Sequence, residues 1–215
     1  MLLFLPLNYG AGYSPTEIYL AQVQNKTPPA IYAQASKENT IDELLKEAKE
    51  AALTKPKSAA KLYIDIISSN NELSAERAIK EALFTHKRLV EMAYASATVD
   101  SALEICEYVI KNHSKSPNAP MAKLISGTLK WNQKYNNNDV EIGINRLNEA
   151  AKEGQLDVQI EAHYILGNIK SLSKNPIDIL AAIRHYQTVI KIAPPDNIYS
   201  KNSKHNIQEI FKLNK

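Results

Sequence analysis

The sequence predicts an all-α chain, an α-solenoid of about four antiparallel helix pairs closed by a C-terminal capping helix. Three observations carry that expectation. First, one helical triplet recurs: Ala59, Tyr63 and Ile66; Ala102, Cys106 and Val109; Ala182, Tyr186 and Val189; and a weaker copy, Gly143, Leu147 and Ala150. These copies begin 43, 41 and 39 residues apart. A period of about 20–50 residues marks units that bury their apolar faces only by stacking on neighbours. Second, every copy runs into polar or breaking residues: Ser68–Asn71, Asn112–Pro117, Gly154 and Ala193–Pro195. Third, no segment alternates with period two, and only 6 Gly accompany abundant Ala, Leu, Ile, Lys and Glu, a composition that favours helix over sheet.

The elements follow in order. Residues 1–39 form a leader, with a short helix expected over Thr16–Gln24 before Pro28 and Pro29. Its apolar start, Met1–Leu7, followed by Gly10, Ala11 and Gly12, admits three readings. These are a truncated signal peptide, an apolar arm packed on the first repeat, and a disordered leader. The repeat domain spans 40–215. Thr40 with Glu43 is a capping box, and Ile41, Leu44, Leu45, Ala48, Ala51 and Ala52 follow at helical spacing. Lys55-Pro56-Lys57 turns the chain into a helix carrying Ala59, Leu62, Tyr63, Ile66 and Ile67.

The second pair opens near Ser74, its apolar pattern running from Ala75 to Ala97. Asp100 is the expected N-cap of its partner, which presents Leu103, Cys106, Val109 and Ile110. Pro117 and Pro120 start the third pair, with Met121, Leu124, Ile125, Thr128 and Leu129. Asn132–Asp139 then reads as a connector to Val140, Ile144, Leu147 and Ala151, and Gly154 as the residue after the helix end. The fourth pair begins at Asp157, with Ile160, Ala162, Ile165, Leu166 and Ile169. After Asn175-Pro176 it continues with Leu180, Ile183, Tyr186, Val189 and Ile190 up to Pro194-Pro195. Ile207, Ile210 and Phe211 among Lys201, Lys204, Lys212 and Lys215 read as the capping helix with a wet outer face.

Over 162–196 these motifs resemble the tetratricopeptide repeat. Leu166-Gly167 matches its first helix; Ala182, Tyr186, Val189 and Pro194 match its second helix and closing proline. The longer Asn175–Asp178 loop and the run Leu147–Gly154 are similar to the Sel-like variant, and Lys115–Ala122 resembles the inter-repeat turn of bacterial envelope tetratricopeptide proteins. The likeness covers roughly 40–196 and is strongest over 142–196. For the earlier pairs, which lack the Leu-Gly pair, HEAT-like units are an alternative. The resemblance implies a right-handed solenoid whose first helices line a concave face suited to a peptide or partner helix.

No constellation for catalysis stands out. The 5 histidines form no i, i+4 pair, and one cysteine cannot build a zinc cluster; Cys106, set among apolar residues, reads as a buried inert thiol. Gly10-Ala11-Gly12 lacks the third glycine of a nucleotide loop. The net charge of +3 is spread among alternating acids and bases, unlike a nucleic-acid-binding face. No stretch reaches the length of a membrane span. The expected function is therefore a non-enzymatic protein- or peptide-binding scaffold, with no cofactor or metal, in bacterial cell-envelope assembly; a periplasmic or secreted location is favoured over the cytoplasm. The alternative is an accessory or regulatory subunit of a larger cytoplasmic complex or enzyme. Candidate contact residues are His163, Asn168 and Lys170 on the first helix of the strongest repeat, with Tyr135 in the Asn-rich stretch. Trp131 joins them, either as a ligand contact or as a packing residue.

Overall fold

The computed structural model describes residues 41–69, 71–92, 95–133 and 137–213, all belonging to one contact unit, Thr40–Lys215. The expected helix over Thr16–Gln24, the Met1–Leu7 run and the Thr40 cap lie outside the described residues. What is described is all helical. In order come α1 (Ile41–Thr54), α2 (Pro56–Ser69), α3 (Glu72–Met92), α4 (Ser96–Asn112) and α5 (Ala119–Gln133). Then follow α6 (Asn137–Glu153), α7 (Leu156–Ser171), α8 (Pro176–Ile192) and α9 (Ile198–Leu213).

Local chemistry sets the helix starts. Pro56 and Pro176 open α2 and α8, where the amide hydrogen that proline lacks would have no partner. Asn175 caps α8, its Oδ1 accepting from the Ile177 N–H at 2.9 Å. Asn71 Oδ1 accepts likewise from the Ser74 N–H at 3.0 Å at the head of α3.

Among the described residues, each helix packs on the next in the chain, and every further close approach of helix backbones joins next-but-one neighbours. The odd-numbered helices form such a row, α1 to α3 to α5 to α7 to α9. One buried cluster runs from Leu45 to Leu129 through the first five helices, with Tyr63, Ile79, Leu83 and Ile105 at its centre. Beyond it the core divides into three smaller groups: around Leu147 and Leu166, around Ile160 and Val189, and around Ala182, Tyr186 and Ile210.

One close helix crossing is made by two bare backbones. A Cβ on Gly127 of α5 would stand 2.8 Å from the Gly143 carbonyl oxygen, and one on Gly143 of α6 2.9 Å from that of Gly127. Gly143 keeps the small position of its repeat because backbone occupies the space a side chain would need. Gly167 does the same for Tyr186, whose ring carbon would be 2.6 Å from an added Cβ.

Four expectations are corrected. The second pair does not run to Ala97 with Asp100 as cap. Helix α4 starts at Ser96, where the Ala95 carbonyl accepts from Thr98 and Val99, and Asp100 is an exposed residue within it, 3.8 Å from Lys57. The Asn132–Asp139 connector is mostly helix, because α5 continues to Gln133 and α6 begins at Asn137. Asp139 then lies in the first turn of α6, where an acid is favoured, and pairs with Lys130 at 3.3 Å. Leu180 and Phe211 are not core residues; they are 56% and 57% exposed. Helix α8 buries Ala182, Tyr186 and Val189, and α9 buries Ser200, Ser203 and Ile210, stripes that point Leu180 and Phe211 away from the core.

Candidate interaction surfaces

The α7–α8 hairpin gathers three of the sequence-derived candidates. At its closed end Lys170 Nζ lies 2.8 Å from Asp178 Oδ1, and Ser173 Oγ donates to Asp178 Oδ2 at 2.8 Å. The Lys170 ammonium, with Ser173, holds the Asp178 carboxyl below its usual range. Seven residues further along each helix, His163 Nδ1 meets His185 Nδ1 at 3.0 Å. One ring nitrogen donates and the other accepts, which requires the accepting imidazole to be neutral. Burial pushes both below the usual histidine range, and His185 falls to about 4 with the added effect of His163 and Lys170. Asn168 Oδ1 accepts from Tyr186 Oη at 2.8 Å and from Asn206 Nδ2 of α9 at 3.2 Å.

His163, Asn168 and Lys170 are thus brought together as a polar seam bonded to α8 and α9. Their polar groups register the last helices against one another. Trp131 stands apart on α5, half-buried against the group around Leu124 and Leu147. Its backbone nitrogen is 3.0 Å from the position of a Cβ on Gly143, so it packs at the glycine crossing. Tyr135 lies outside the described residues. Cys106 is fully buried, and burial pushes its thiol well above the usual range, consistent with an inert thiol.

Two surfaces were missed from sequence. On α3, Leu73, Phe84 and Met92 are exposed, Leu73 by 84% and Phe84 by 64%. Lys80 and Arg88 flank Phe84 at i−4 and i+4, both exposed and on the same helical face. The signal was present: Phe84 falls opposite the stripe of Ala75, Ala78, Ile79, Ala82 and Leu83 that α3 buries. On the same helix Lys87 Nζ reaches Glu161 Oε2 of α7 at 2.5 Å, joining two helices that α5 separates in the row.

The second surface is a hollow of about 510 Å³ between the start of α7 and the α8–α9 turn. Leu156, Ile160, Pro194 and Tyr199 give it apolar walls, and Asp157 and Glu161 stand at its edge.

Among the described residues no group of three or more His, Cys, Asp or Glu could hold a metal ion, and no helix is long and apolar enough to cross a membrane. Comparison with protein-family models, with curated proteins and with solved structures finds no match to this chain.

Proposed function

We propose that the chain is a non-enzymatic interaction scaffold: a right-handed α-solenoid of tetratricopeptide or Sel-like type that engages a protein or peptide along its odd-numbered helices. The observation that carries this reading is the packing order. Helices whose backbones, among the described residues, come close only to their next and next-but-one neighbours grow as a one-dimensional stack and offer a long surface rather than a closed one. The α3 stripe lies on that row, and an exposed phenylalanine between two cations is an unusual feature for a face that meets only water. An amphipathic helix with acidic flanks fits it, its apolar side chains meeting Leu73, Phe84 and Met92 and its acids meeting Lys80 and Arg88.

Site-specific photo-crosslinking in the source cells tests the reading. A photoreactive residue at position 84 is expected to give a discrete protein adduct, lost on adding Lys80→Glu and Arg88→Glu. The same probe at Glu104, exposed on α4, is expected to give none. Absence of an adduct at 84, or equal adducts at both positions, would overturn the proposal.

A further inference from the structure

We infer that the hollow beside α7 receives the side chain of a lysine or arginine from an extended partner peptide, an inference that rests on the scaffold reading and names a chemistry for a second contact point. The walls and the charge agree on this occupant. Ile160 belongs to a buried apolar group with Val189 and Ala193, so the floor is fixed. Tyr199 is held against Tyr164, with ring centroids 5.1 Å apart, so the aromatic wall is fixed too. Asp157 and Glu161 are one helical turn apart, on one face of α7, and among the described residues no lysine or arginine lines the hollow.

A basic side chain is apolar along its stem and cationic at its tip, which matches apolar walls ending in carboxylates. The chain shows the same chemistry itself, since the Lys87 ammonium already sits on Glu161 at 2.5 Å. Asp157 is exposed and has no hydrogen bond or ion pair among the described residues. It is the carboxylate open to an incoming cation. The ring of Tyr199 adds attraction for a cation at its face. A glutamate in the same place would set like charge against Asp157, and a leucine would crowd water from that carboxylate without replacing it.

The test is chemical-shift mapping on the full ¹⁵N-labelled chain. The probe is acetyl-Ala-Leu-Arg-Leu-Ala-amide, compared with peptides carrying Glu or Leu in place of Arg. The arginine peptide is expected to shift amides of 155–161 and 196–199 in a saturable way. The two comparison peptides, and the arginine peptide on Asp157→Asn, are expected to bind about 5-fold more weakly, as loss of one exposed ion pair allows. Shifts elsewhere, or equal binding of the leucine peptide or by Asp157→Asn, would sink the inference. Its failure is separable from that of the scaffold reading: a silent hollow with intact adducts at position 84 removes only the hollow. A filled hollow with no adducts at 84 overturns the scaffold reading proposed above and leaves the hollow as a separate site.

Discussion

The two halves of this molecule share a repeat spacing and differ in what fills it. Helices α1 to α5 enclose one continuous apolar cluster, whereas α6 to α9 divide theirs into three small groups with polar pairs between them. The seam of His163–His185, Lys170–Asp178 and Asn168 with Tyr186 and Asn206 has its nearest counterpart further up the chain in Arg146. That residue grips Glu107 with two hydrogen bonds of 2.5 and 2.6 Å across α4 and α6. Apolar contact is strong and tolerant of angle; paired polar groups add less stability but permit one register. The first half, although Glu76 there accepts from Ser116 and Asn118, relies more on cohesion, and the second more on alignment.

The sharpest test is the same deletion in each half. Leu83→Ala and Leu166→Ala remove equally buried side chains, and each is expected to cost about 2–5 kcal/mol. Leu83→Ala is expected to cost more, because it opens the larger cluster. Urea denaturation of both variants measures this, and a larger loss at Leu166 would break the contrast.

Next in size are the glycines. Gly143→Ala is expected to destabilise by about 1–3 kcal/mol through overpacking, despite the roughly 1 kcal/mol that alanine gains in helix propensity. The obstacle there is backbone. Gly167→Ala meets the Tyr186 ring first, a side chain rather than backbone, and is expected to cost less. Thermal melts of the two variants rank them.

The seam should also respond to acid. His163 and His185 have folded-state pKa values below the ordinary one, so the unfolded chain binds more protons than the folded chain between them. Stability is complete above about pH 6.5 and falls as pH drops toward the folded value of about 4 for His185, by at most about 1.4 kcal/mol per pH unit for each histidine. His86, buried in the first half against the edge of Tyr63, is lowered in the same direction. His185→Asn should flatten the slope of stability against pH more than His86→Asn if the second half holds the larger share.

The smallest effect is expected from Lys170→Ala, because its ion pair with Asp178 is partly open to solvent and such pairs add little stability. Repeating the melt at high salt should erase the difference.

Much of the fold was legible because it is periodic. Ala59, Ala102, Gly143 and Ala182 are all buried, as small residues at helix crossings must be. The details that failed were those set by partners. Leu180 and Phe211 are as apolar as their buried neighbours, and only the position of the adjoining helix decides which of them is covered. The His163–His185 pair carried a faint signal. Two residues seven apart on α7, His163 and Lys170, face two seven apart on α8, Asp178 and His185, across a short loop. Gly127 carried none, since its role exists only once Gly143 lies against it. Nor could the α3 to α7 contact be read, because Lys87 and Glu161 are 74 residues apart.

That last contact has a mechanical consequence. Lys87 and Glu161 are largely shielded from solvent, with side-chain exposures of 24% and 17%, so salt screens them less than it screens surface pairs. They clasp α3 to α7 over α5. Drawing the two ends of the chain apart must open this clasp before the helices between can flex, and Lys87→Ala would leave a softer spring.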